Sequence, residues 1–125
     1  MRRFSEARDS NESEIVKALN RAGATVQKLS GGNGRPDLLV GSGGQMWLME
    51  VKNLATKSKT TTTKSLKVAD VDLGGEYHHL CARYGRERVR MLKRTQAAWF
   101  TRWQGPAPYI VTSPMEALAI IGVAT

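Results

Sequence analysis

A chain of 125 residues is long enough for one domain with its own core. Hydrophobic residues make up 41% and charged residues 24%, which argues against global disorder, and a lone cysteine excludes a disulfide framework or a cysteine-rich zinc site. The 19 Lys and Arg stand against 11 Asp and Glu, and the resulting net charge of +8 points to a polyanion, most often nucleic acid.

In chain order, residues 1–10 are polar and read as a frayed basic arm. Over residues 11–22, Ile15, Val16, Leu19 and Ala22 recur at the spacing of one helix face, and Gly23 ends the helix. At about 100° per residue, Glu12 falls in the middle of that apolar stripe and Glu14 on the opposite side. A capping box at the helix start could pair Asp9 with Glu12, or Asn11 with Glu14. Residues 26–29 read as a short strand, and Ser30-Gly31-Gly32-Asn33-Gly34 as a flexible turn-rich loop. Pro36 opens a strand over 37–40, a glycine turn follows, and residues 45–52 complete a hairpin. Residues 53–67, rich in Lys and Thr, have little to bury and read as a mobile loop.

The second half continues with a helix over 76–84, which sets Tyr77, Leu80, Cys81 and Tyr84 on one face. A strand is predicted over 89–92, then a helix capped by Thr95 whose stripe carries Gln96, Trp99, Phe100 and Trp103. Gly105-Pro106 stops that helix, residues 109–111 form a strand, and the capping box Ser113-Pro114-Met115-Glu116 opens a last helix to about Ile121. Helices alternating with strands give one α/β domain over residues 1–125, a mixed central sheet flanked by helices. The longest apolar run, near residues 117–124, is well short of the roughly 20 residues of a membrane span. No signal-peptide pattern follows the basic start, so a cytoplasmic location is expected (the host cytoplasm for a phage protein).

The chemistry concentrates in Pro36-Asp37-Leu38-Leu39-Val40 and Met46-Trp47-Leu48-Met49-Glu50-Val51-Lys52. Strand alternation puts Trp47, Met49 and Val51 on one face and Met46, Leu48, Glu50 and Lys52 on the other. A hairpin partner beginning at Asp37 can bring its carboxylate beside Glu50. Adjacent carboxylates repel, and a divalent cation removes that penalty. Few hard oxygen ligands suit Mg²⁺, which acidifies bound water, while Lys52 can orient that water or stabilise charge on a phosphate. Pro-Asp is also a common turn and Glu-X-Lys a common solvated strand face. The two together, at any of about ten spacings, recur by chance in roughly one chain in a hundred of this length.

Pro36-Asp37 with Glu50-Val51-Lys52 resembles the PD-(D/E)XK nuclease superfamily, whose fold is restriction-endonuclease-like. The stretch from Glu12 to Val26 is similar to the first helix and strand of archaeal-type Holliday junction resolvases. Leu92-Lys93-Arg94-Thr95-Gln96 with Trp99 is similar to the Gln-bearing helix start of the same resolvases and to phage-type VRR-NUC proteins. The resemblance covers most of residues 11–53 and 89–122. It implies metal ligation by Asp37 and Glu50, an attacking water assisted by Lys52, a further acidic ligand or water-orienting group in Glu12, and a supporting Gln96. It further implies a homodimer that nicks two strands of a four-way DNA junction with Mg²⁺, Mn²⁺ substituting. A nickase, flap nuclease or restriction-like enzyme on the same fold, and a DNA-binding module without turnover, are the alternatives.

Other features carry less. His78 and His79 diverge by about 100° on a helix and cannot share one metal ion. Cys81 reads as a small core residue, and the aromatic stripe as core rather than a platform for bases. Residues 31–34 lack the Lys and Ser or Thr of a phosphate-binding P-loop. Asp70 and Asp72 read as loop or strand-edge residues, and Arg83, Arg86, Arg88 and Arg90 as a basic surface or a solvated face.

Overall fold

A computed structural model describes residues 3–29, 32–53 and 77–123, with side chains from Asn11 onward in the first segment. The Lys- and Thr-rich stretch from residue 54, with Asp70 and Asp72, lies outside the described residues. The chain divides into two compact units: Met1–Ser30, Pro36–Thr56 and Pro108–Thr125 form the first, Gly31–Arg35 and Lys57–Ala107 the second.

The first unit holds α1 (Arg3–Arg21), β1 (Thr25–Lys28), β2 (Leu38–Ser42), β3 (Gln45–Val51), β4 (Tyr109–Val111) and α5 (Pro114–Ile120). Its four strands lie in the order β1-β2-β3-β4. The first two pairings are antiparallel and β3 runs parallel to β4, so the sheet is mixed. The β2–β3 turn is made by Gly43 and Gly44, with φ of 59° and 81°. Two consecutive left-handed residues are what a two-residue hairpin needs to match strand twist.

Helices α1 and α5 flank one sheet face. Ile15 and Leu19 of α1 and Ala117 of α5 share a buried cluster with Leu38, Val40, Met49, Val51 and Val111. Each large side chain buried there contributes about 1.5–3 kcal/mol relative to exposure. The cluster uses the strand face predicted from alternation, so Glu50 and Lys52 project from the other one. At the start of α5, Ser113 Oγ accepts the Glu116 N–H at 3.2 Å, and Glu116 Oε1 accepts the Thr112 N–H at 2.8 Å. The carboxylate thus reaches one residue further back than in the predicted capping box.

Helix α1 begins at Arg3, which overturns the frayed arm. Residues 3–10 contain no glycine or proline and are rich in Arg, Ala and Glu, all strong helix formers. Neither Asp9 nor Asn11 is therefore an N-cap, and neither predicted capping box forms. Glu12 therefore lies well inside the helix, beyond the first turn to which the N-terminal dipole effect is confined.

The second unit holds α2 (His78–Tyr84), α3 (Arg86–Val89) and α4 (Arg94–Arg102). The strand predicted over 89–92 is instead the end of α3 and a turn. Val89 and Leu92 are both buried, and a three-residue spacing serves one helical turn as well as a short strand. Lys93, not Thr95, is the N-cap of α4: the Gln96 Oε1 accepts the Lys93 N–H at 2.8 Å. Of the aromatic stripe, Phe100 is buried with the Tyr84 ring edge-on at 5.6 Å, as a core residue should be. Trp103 is 40% exposed and is not core. No described helix is long and apolar enough to cross a membrane.

Candidate active site

The β2–β3 register decides which side chains meet. Leu38 pairs with Met49, so the next step of the same register sets Asp37 opposite Glu50. A further step would oppose Pro36 to Val51, and proline has no N–H to continue the ladder. The Asp37 side chain takes over: Oδ2 accepts the Val51 N–H at 2.8 Å. The Asp37 carbonyl also accepts the Leu29 N–H at 2.8 Å. Asp37 is therefore pinned between the chain leaving β1 and the end of β3.

Glu50 is fully buried, with 0% side-chain exposure, and its Oε2 lies 3.4 Å from Lys52 Nζ, whose side chain is only 12% exposed. A solvated Glu-X-Lys strand face would expose both, so that reading fails. Withdrawing two opposite charges from water costs more than their attraction reliably returns. A buried carboxylate and ammonium at one strand end are thus costly groups held in place, as functional groups often are. The Lys52 backbone N–H is itself fixed by the Val111 carbonyl at 2.9 Å.

Glu12 comes to the same sheet end, beside Lys28. Its Oε2 lies 3.8 Å from Lys28 Nζ, with side-chain exposures of 20% and 62%. Lys28 pairs with Leu38, the residue after Asp37. The rotation expected from the sequence holds, since Ile15 and Leu19 are buried while Glu14 is exposed. Gln96 belongs to the second unit and caps α4.

Asn11, one of two alternative caps in the sequence, is bonded to the strand ends instead. Its Nδ2 donates to the Lys52 carbonyl at 2.9 Å and to the Thr112 carbonyl at 3.5 Å. The signal was present: Asn11, Ile15 and Leu19 follow each other at four-residue steps, so a polar amide lies on the buried side of α1.

Asp37 and Glu50 offer hard oxygens from two adjacent strands, which fits Mg²⁺, an ion commonly held by one or two carboxylates and several waters. Among the described residues no group of three His, Cys, Asp and Glu is arranged to hold a metal ion. His78 and His79 are exposed, and His79 Nε2 lies 3.3 Å from Thr101 Oγ1. No protein-family model, curated protein or solved structure matches the chain.

Proposed function

We propose that the chain is a Mg²⁺-dependent, structure-selective DNA endonuclease on a restriction-endonuclease-like fold, acting as a homodimer that resolves four-way junctions by paired nicks. The observation that carries this reading is the Asp37 carboxylate bonded to the N–H of the residue after Glu50, with the Lys52 ammonium 3.4 Å from the buried Glu50 carboxylate. When bound, a divalent ion would supply acidified water and neutralise phosphate charge. In this reading Asp37 and Glu50 hold the ion, and their carboxylates are oriented by the Val51 N–H and by Lys52. The Lys52 ammonium donates a hydrogen bond to the attacking water or to the phosphate oxygen on which charge develops. Asn11 fixes the backbone that carries Lys52. Glu12 orients water from α1, and Gln96 holds the start of α4. The +8 charge supports a phosphate-bearing partner.

A second reading, a DNA-binding module without turnover, is favoured by one feature: the Glu50–Lys52 pair compensates its own charge. Incubating the chain with supercoiled plasmid, and with a labelled four-way junction, a flap and a linear duplex, separates the readings. Cleavage that requires Mg²⁺ or Mn²⁺ and prefers the junction is expected. Binding without cleavage of any of these DNAs overturns the nuclease reading.

A further inference from the structure

The two units differ sharply in charge. Gly31–Arg35 and Lys57–Ala107 contain twelve Lys and Arg against four Asp and Glu, whereas the first unit has seven of each. The whole net charge of +8 thus falls on the second unit, although the proposed catalytic carboxylates belong to the first. Arg83, Arg86, Arg90, Lys93, Arg94 and Arg102 are all exposed.

The same unit presents an ordered aromatic pair. Trp99 and Trp103 stack at 4.8 Å between centroids with 15° between planes. Trp99 is half-buried and Trp103 is 40% exposed. Trp103 Nε1 donates to the Pro106 carbonyl at 2.9 Å. A Cβ on Gly105 would fall 2.6 Å from Trp103 Cζ2, so only glycine lets the chain pass this close to the ring. Trp103 is therefore held by a stack, a hydrogen bond and a close-packed turn while much of it faces water. A large apolar ring fixed in this way binds without losing rotamer freedom. Arg102, exposed and adjacent in sequence, sits on the turn of α4 next to Trp99.

We propose that the second unit binds nucleic acid through its arginines and that the Trp99–Trp103 pair stacks an unpaired nucleobase. Aromatic side chains among cations are the recurring means of holding single strands, because every base has a π-face while the backbone is uniformly anionic. A duplex keeps its bases stacked on each other and offers this pair only phosphates. The inference goes beyond the cleavage reading and does not depend on it. The strand supplying the base can be DNA or RNA, and the chemistry is shared.

The test uses the full chain in EDTA, so that cleavage plays no part. Fluorescence anisotropy with labelled dT20, rU20 and a blunt duplex, and with heparin as competitor, gives the affinities. Single strands are expected to quench the tryptophan emission at saturation. Trp103→Ala should weaken single-strand binding by roughly tenfold or more and leave duplex and heparin binding nearly unchanged. Trp103→Phe should restore most of the loss, and Arg102→Gln should weaken all ligands alike. The relative affinities for dT20 and rU20 identify the strand. An equal loss on heparin, which has no bases, overturns the proposal. So does an emission unchanged at saturating dT20 and rU20 in the unsubstituted protein, a result that holds even if Trp103→Ala fails to fold.

Discussion

Asp37 accepts the backbone N–H of Val51 at 2.8 Å, so one candidate metal ligand is bonded to the residue that follows the other, Glu50. The carboxylate just before β2 also terminates the β2–β3 ladder. The proposed catalytic charge and the strand pairing meet in one side chain, and substitutions there should separate the two.

Asp37→Asn removes the charge but keeps an amide oxygen to accept the Val51 N–H. It should abolish cleavage with a melting temperature close to that of the parent. Asp37→Ala removes the acceptor as well and should cost about 1–3 kcal/mol of stability, the penalty of a stranded buried donor. Glu50→Gln should also abolish cleavage. DNA binding should be equal or tighter in Asp37→Asn and Glu50→Gln, since each removes negative charge from the proposed phosphate-binding site. An independent reading comes from Mg²⁺ itself. At about ten times its dissociation constant the ion should stabilise the parent by about 1.4 kcal/mol, and this gain should vanish in Asp37→Asn. An equal Mg²⁺ stabilisation in parent and Asp37→Asn would remove Asp37 from the metal site.

The hairpin that carries the site was legible because its signals are local. Glycines at the turn and alternation from Met46 to Lys52 set both register and face. The burial of Glu50 was not legible, because exposure depends on what covers a strand end rather than on the strand. The start of α1 was missed for a different reason: residues 3–10 are polar and show no apolar periodicity, and helix propensity alone was the signal. Val89 to Leu92 was too short for periodicity to distinguish a strand from a helical turn.

Lys52 is the test of the buried pair. Lys52→Met keeps much of the side-chain volume and removes the ammonium 3.4 Å from Glu50. It should cost about 3 kcal/mol in urea unfolding, as breaking one side of a buried pair generally does. Adding Glu50→Gln to it should recover a large part of that loss. If the double variant is as unstable as the sum of the singles, the two groups are not energetically coupled.

Gly34 tests how tightly residues 32–35 are built onto α4. Its φ is +79°, and a Cβ there would overlap the Thr95 carbonyl at the first turn of the helix. Gly43 has φ of +59° but meets nothing within 4 Å. Both Gly→Ala changes carry backbone strain of about 1 kcal/mol or more, and Gly34→Ala adds a steric clash with backbone. Gly34→Ala should therefore lower the melting temperature by several degrees more than Gly43→Ala. Equal shifts would mean that residues 32–35 do not pack on α4 in solution.

The last prediction concerns the two glutamates of α1. Glu12 lies on the side of the helix that turns toward the sheet and is 3.8 Å from Lys28, whereas Glu14 is exposed. With Lys28 62% exposed, their ion pair is a surface pair, worth at most about 1 kcal/mol. Glu12→Gln should therefore change the melting temperature little. If Glu12 orients water for the reaction, the same change should slow cleavage by at least about tenfold, a floor below the roughly 10²–10⁴-fold of a positioned acid–base group. Glu14→Gln should leave the rate nearly intact. Lys28→Met separates the ion pair from the chemistry: it breaks the same contact, and cleavage should stay within about threefold of the parent. A Lys28→Met rate as low as that of Glu12→Gln would show that Glu12 matters only for anchoring α1 to β1. A loss confined to Glu14→Gln would place the functional side of α1 opposite its buried stripe.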